Sequence, residues 1–150
     1  MSFSSFISSV KQKSNELKGE VLKFKNKKFL NAATAGTALI ALADGDVSSE
    51  EKKKMLKIIE SNDALSVFKT ADVISSFNDF LSNFEFDQDV GESKAYEALN
   101  LLKGDDVASR TVMRLILSIA AADGVFDDNE KAVAVKIARE LGLSPSDFEL

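Results

Sequence analysis

The chain has 150 residues, a formal net charge of −5, and no cysteine, histidine or tryptophan. A chain of this length is typical of one domain and can bury enough surface to fold without disulfides or a structural metal. The absence of cysteine and histidine excludes zinc fingers, iron–sulfur clusters, thiol redox chemistry and a Ser-His-Asp triad. Any chemistry that this sequence performs must therefore rely on carboxylates.

The composition and the spacing of apolar residues both indicate helices. Seven glycines and one proline are too few for many short strands joined by tight turns. Apolar residues instead recur at helical spacing along most of the chain, so we predict an all-α bundle of about seven to nine helices. The sequence has no apolar run long enough to span a bilayer and no signal-peptide core, and we therefore expect a soluble, cytoplasmic protein.

The first 30 residues are basic, whereas the rest of the chain is acidic. Seven lysines and two acids give residues 1–30 a balance of +5, which leaves −10 for residues 31–150. We predict an amphipathic segment over 1–30 that packs on or flanks a single domain over 31–150. The acidic body would repel a phosphate backbone, so no nucleic-acid partner is expected. One lysine cluster is either a solvated face or a docking patch for anionic lipid, and it contains Lys23, Lys25, Lys27 and Lys28.

The remaining elements are predicted in chain order from periodicity and capping signals. They are an apolar helix over 32–43, a capped helix over 48–60, a short turn over 65–68, helices over 71–84, 93–102, 107–122 and 130–141, and a last turn over 144–150. Ser48 with Glu51, and Asp127 with Glu130, have the spacing of capping boxes. An aromatic run is expected to pack in the core, and it consists of Phe77, Phe80, Phe84 and Phe86.

The chain contains an internal repeat at an offset of 79 residues. Residues 40–58 and 119–137 align without a gap and share nine identities in nineteen positions. Each copy, over about 32–60 and 107–141, consists of an apolar helix, an Asp-Gly corner and a capped polar helix. Because two copies of a helical hairpin commonly pack about a pseudo-two-fold axis, we predict two pseudo-symmetric halves.

Carboxylates gather at both Asp-Gly corners. Asp44 and Asp123 are predicted at helix ends, where an anion opposes the helix macrodipole at a cost of about 0.3 to 1 kcal/mol. A hard divalent cation such as Ca²⁺, Mg²⁺ or Mn²⁺ takes oxygen ligands and would reverse that penalty. The same acids could equally be helix caps and turn residues that need no ligand, and the spacing alone leaves both interpretations open.

Several longer motifs resemble the TerB family of tellurite-resistance proteins. They are FKNKKF at 24–29, DGDVSSEEK at 44–52, TADVI at 70–74, FEFD at 84–87 and DGVFDDNEK at 123–131. The resemblance covers essentially the full length. It implies an all-α fold of two related halves in a bacterial cytoplasmic protein, with the periphery of the inner membrane as a further expectation. It also implies divalent-metal binding, a role in stress response, and partners that include a TerC-like membrane protein and other tellurium-resistance proteins.

The resemblance nominates six metal ligands when it is carried over position by position. They are Asp44, Asp46, Glu51, Asp123, Asp127 and Glu130. Asp46 and Asp127 would act as helpers, and because Val125 stands where the first corner has Asp46, the two corners need not bind alike.

The expected function is that of a non-enzymatic, divalent-metal-binding scaffold. The alternative is a metal-free helical module that docks a basic partner through its acidic face. A carboxylate hydrolase would require a pocket with one raised carboxyl pKa. Tellurite is an anion and suits neither the acidic corners nor a chain without thiols, so direct detoxification is not expected.

Overall fold

The computed structural model describes residues 3–122, 124 and 126–150, which form helices joined by short loops. This part of the chain contains eight α-helices and two 3₁₀ turns and no strand, which confirms the all-α prediction. The helices are α1 (Phe3–Gln12), α2 (Ser14–Leu22), α3 (Lys27–Ala41), α4 (Ser49–Ser61), α5 (Thr70–Phe86), α6 (Gln88–Asn100), α7 (Asp106–Ala120) and α8 (Asp128–Glu140), and the 3₁₀ turns are Ala64–Val67 and Pro145–Phe148. None of the described helices combines the length and the apolar character that crossing a bilayer requires.

The apolar helices α3 and α7 form the centre of the bundle. Helix α3 packs against α5, α6, α7 and α8, and most of its side chains are buried. Gly36 lies where α3 meets α7, and a Cβ atom at this position would overlap the fully buried Ile116. The missing side chain therefore allows the two central helices to approach closely.

The repeated sequence produces repeated helices. Helices α3 and α7 each have 15 residues, and α4 and α8 each have 13. Every boundary in the second pair lies 79 residues after its counterpart in the first pair. The repeat thus sets both the lengths and the spacing of the helices, while a two-fold relation between the halves stays a prediction.

The basic N-terminal segment is divided among three helices. Helices α1 and α2 are separated at Lys13, and α3 already begins at Lys27. Leu17 and Val21 are buried, and α2 packs against α7 and the first 3₁₀ turn. Helix α2 is thus part of the packed structure, whereas a domain boundary at residue 30 stays a prediction.

Helix α6 begins five residues before the predicted position. The carboxylate of Asp87 accepts a hydrogen bond from the Val90 N–H at 3.0 Å and caps a helix that starts at Gln88. Gly91 lies inside this helix at a position where α5 passes too close to leave room for a side chain. A Cβ at Gly91 would lie 2.7 Å from the Cα of Phe84. A contact between two helices therefore explains the glycine inside α6, and local periodicity does not reveal such a contact.

The aromatic run is only partly a core element. Phe77 and Phe84 are buried, whereas Phe86 is 83% exposed. The prediction that Phe86 packs in the core is wrong, because it is the last residue of α5 and lies beyond the buried face of that helix.

Candidate metal site

The first Asp-Gly corner begins after α3 has already ended. Helix α3 ends at Ala41, and the Gly45 N–H then donates to the Leu42 carbonyl at 3.0 Å. Gly45 has a φ of 109°, in the left-handed region that favours glycine. Gly124 has a φ of 82° after α7, so a glycine turn follows both central helices.

The Asp44 side chain reaches the start of α8. Its Oδ1 accepts a hydrogen bond from Nδ2 of Asn129 at 2.6 Å, a contact between residues 85 positions apart. Asp44 follows the C-terminal end of α3, as predicted, but its side chain extends to a second helix. Its carboxylate lies by the first turn of α8, where the partial positive charge of a helix N-terminus favours an anion.

The first turn of α8 holds two further carboxylates in fixed positions. Asp127 accepts a hydrogen bond from the Glu130 N–H at 2.8 Å, and Glu130 accepts one from the Asp127 N–H at 3.1 Å. This is the complete capping box that the sequence predicts. The pKa of Asp127 is lowered, chiefly by the hydrogen bond that its carboxylate accepts from the backbone N–H of Glu130.

The two corners together form one carboxylate cluster. One oxygen each from Asp44, Asp127 and Glu130 lie within 4.8 Å of one another, and this group could hold a metal ion. The cluster opens into a groove of about 240 Å³ that Glu51 and Lys54 also line. Four of the six nominated acids therefore share one groove.

The other nominated acids are placed differently. Asp46 lines a separate groove together with Lys52 and Glu85, so the structure does not bring it to the cluster. Asp123 lies outside the described residues.

The capping arrangement at the first corner is only half formed. Ser48 accepts a hydrogen bond from the Glu51 N–H at 3.1 Å, but the Glu51 carboxylate does not return to the backbone N–H of Ser48. The prediction of a complete capping box there is wrong. Glu51 instead lines the same groove as the carboxylate cluster.

Sequence reasoning missed Asn129 and Lys54. Asn129 fixes Asp44, and Lys54 brings a positive charge to the groove. No local pattern predicts a contact across 85 residues. The one available signal was a difference within the repeat, since Asn129 stands where the first copy has Glu50.

Comparison with known proteins identifies relatives of the chain. A family model described as "Tellurite resistance protein TerB" matches residues 30–150. A curated protein from Alcaligenes sp, named "Tellurium resistance protein TerB", is 39% identical over 100 residues, which are 67% of this chain and 82% of the relative. No solved structure matches. The family match begins after α1 and α2 and includes every carboxylate of the acidic groove.

Proposed function

The chain belongs to the TerB family of tellurite-resistance proteins, and on that premise we propose that it is a non-enzymatic scaffold that binds a divalent cation. The ligands would be Asp44, Asp127 and Glu130, with Glu51 at the edge of the same groove. The observation that supports this most is the convergence of three carboxylate oxygens from two distant parts of the chain.

The spacing of these oxygens suits a hard cation. Three atoms no more than 4.8 Å apart lie no more than about 2.8 Å from a common centre. Ca²⁺–oxygen distances are about 2.3–2.6 Å, whereas Mg²⁺ requires about 2.0–2.1 Å and near-ideal octahedral geometry. Calcium therefore requires the smaller movement of the three side chains and is the first ion to test, followed by manganese and magnesium.

The hydrogen bonds of the cluster hold the ligands in place. Asp44 is held by Asn129, and Asp127 and Glu130 hold each other through the capping box. An ionised carboxylate has about four lone-pair sites, so a carboxylate that accepts hydrogen bonds can still coordinate a cation. A bound cation would also reduce the mutual repulsion of the three charges.

Such a cation would act by changing the surface that partners meet. The metal-free groove is predominantly negative, and binding would reduce that negative charge and fix the α3–α4 corner against α8. We propose that this surface engages a TerC-like membrane protein and other tellurium-resistance proteins during stress response. Family resemblance supports these partners.

Thermal unfolding with and without calcium, manganese or magnesium tests the metal site. The variant is Asp127→Asn, because asparagine caps helices about as well as aspartate and so preserves the fold. We expect each bound ion to raise the wild-type melting temperature, by the equivalent of about 2.7 kcal/mol at a hundredfold excess over Kd. The shift should disappear in the variant. Asp89→Asn, an equal charge change in the first turn of α6, is the matched control and should retain it.

Two results would count against the metal site. If Asp127→Asn and Asp89→Asn lose the ion-induced rise in melting temperature to the same extent, the rise reflects the net charge of the protein and not a specific site. No shift with any of the three ions would favour the alternative, a metal-free module whose acidic face docks a basic partner. That alternative has its own support, because Asn129, Lys54 and the N-terminus of α8 already surround the carboxylates with donors or positive charge.

A further inference from the structure

A compact positive surface lies at the turn from α2 to α3, which we call the lysine corner. It consists of Leu22, Lys23, Lys25, Lys27 and Lys28, and all five side chains are exposed. None of its four lysines forms an ion pair with another described residue. The nearby acid Glu20 is directed towards α7, where Arg114 lies 3.5 Å from its carboxylate. The positive charge of the corner is therefore available to a partner.

Two of these lysines occupy positions that ordinary helix electrostatics disfavours. Lys27 and Lys28 are the first residues of α3, beside its positive N-terminal dipole, and the first turn of this helix has no acid. Helices α4, α5, α6, α7 and α8 each have an acid in the first turn. The positive end of α3 therefore reinforces the positive charge of the side chains.

A groove beside the corner extends its positive surface. Lys25 and Lys27 line it together with Lys69, and its volume is about 440 Å³. Asn31, Ser75 and Ser76 add polar groups, and Asp72 and Asp79 lie along the same groove. Lysines outnumber acids across the corner and groove, by five to two. The combination suits an anionic group with hydroxyls attached, such as a phosphoglycerol headgroup.

An exposed leucine distinguishes the kind of polyanion that fits. Leu22 is 58% exposed and directly precedes the lysines. A bilayer offers both anionic headgroups and an apolar phase for this side chain, whereas a nucleic acid offers no such phase. We infer that the lysine corner docks the protein on an anionic lipid bilayer, with lysines on the headgroups and Leu22 at the acyl boundary.

The position of the acidic groove is compatible with this orientation. The lysine corner lies at the start of α3, and Asp44 follows the other end of this 15-residue helix. Such a helix is about 22 Å long, well beyond the Debye length of about 8 Å at physiological salt. The docked protein would therefore keep the carboxylate cluster of Asp44, Asp127 and Glu130 away from the anionic surface. This inference does not depend on metal binding.

Co-sedimentation with vesicles tests the docking surface. We expect the full chain to bind phosphatidylglycerol vesicles, to bind phosphatidylcholine vesicles far less, and to dissociate at high salt. The triple variant Lys25→Gln, Lys27→Gln, Lys28→Gln should lower the partition coefficient roughly a hundredfold, since each lysine near an anionic surface contributes about fivefold. The matched control changes three exposed lysines elsewhere, Lys53→Gln, Lys57→Gln and Lys136→Gln, and should lose only a few-fold.

A second pair of variants tests the apolar contact. Leu22→Ser should lower the partition coefficient roughly fivefold, as expected for half of a leucine side chain. Leu101→Ser, at a leucine that is 57% exposed, should have no effect. Circular dichroism should show all variants folded, because every changed side chain is exposed.

Four outcomes would overturn the inference. The first is no binding to phosphatidylglycerol vesicles at low salt, and the second is an equal loss in the two lysine triples. The third is a vesicle partition coefficient that Leu22→Ser does not change, together with RNA binding by the same lysines. That result would assign the corner to a different polyanion. The fourth is strong competition by inorganic phosphate at matched ionic strength, which would make the corner a phosphate-binding pocket. We expect this competition to be negligible.

Discussion

The two hairpins, α3–α4 and α7–α8, show how far a repeated sequence produces a repeated structure. Their helices have equal lengths and a constant offset, yet their caps differ. Asp127 and Glu130 complete a capping box, whereas Ser48 and Glu51 form only half of one. The nine shared identities accompany equal helix lengths. The side-chain arrangements differ because the two copies diverge at other positions.

This divergence turns two similar corners into one composite site. Asn129, which replaces Glu50 of the first copy, holds the carboxylate of Asp44 beside the box of Asp127 and Glu130. The first corner thus places the carboxylate of Asp44 beside the capping box of α8. Small changes of this kind can give a duplicated hairpin a new cluster of side chains, because packing already brings the two copies together.

The central helices offer the largest test of this comparison. Gly36 of α3 corresponds to the fully buried Leu115 of α7. Gly36→Ala should destabilise the protein by up to about 2 kcal/mol, because overpacking against Ile116 typically costs about 1–3 kcal/mol and the gain in helix propensity offsets only about 1 kcal/mol. Urea unfolding, with the slope checked for constancy, measures the change.

Two further variants make this result specific. Gly19→Ala lies in α2 with nothing within 4 Å of the added Cβ, so it should stabilise the protein by about 0.5–1 kcal/mol. Ile116→Val should recover part of the loss in the Gly36→Ala background, although alone it costs about 0.5–1.5 kcal/mol. Equal stabilisation by both alanine substitutions would show that α3 and α7 adjust freely.

The sequence predicted the helices better than the contacts between them. Periodicity and capping signals located α4, α8 and both 3₁₀ turns because those signals are local. The same reasoning failed at Gly91, whose place in α6 depends on contact with Phe84 of another helix. It also did not reveal that Asp44 contacts α8, because the first turn of α8 is near Asp44 in space and far from it in sequence.

The candidate site was predictable in part for the same reason. Resemblance nominated Asp44, Glu51 and Glu130, and periodicity placed Glu51 and Glu130 in first helical turns. Neither could show that Asp46 lines a different groove. The direction of a loop side chain depends on tertiary packing, which a spacing rule does not contain.

The two N-caps provide a second, smaller test of the comparison. Asp127→Ala removes a complete capping box and should cost about 1–2 kcal/mol, whereas Ser48→Ala removes a single cap hydrogen bond and should cost about 0.5–1 kcal/mol. Denaturant unfolding with a chelator present measures both without interference from metal. Equal costs would mean that the return hydrogen bond of Glu130 adds nothing. In that case, Glu130→Gln and Glu130→Ala should also be indistinguishable.

Acid provides the smallest test, because only one of the two caps titrates. The pKa of Asp127 is lowered in the folded chain, first by the Glu130 backbone N–H. Its contribution to stability is therefore complete above the unfolded-state pKa of about 3.9 and is lost as the pH falls through the folded-state pKa. Unfolding free energies of the wild type and Asp127→Asn should differ by a constant above about pH 5, and the wild type should lose stability relative to the variant at lower pH. Ser48→Ala should run parallel to the wild type throughout, since a hydroxyl cap has no proton to gain. Parallel curves for Asp127→Asn as well would mean that the hydrogen bonds at Asp127 do not favour its charged form.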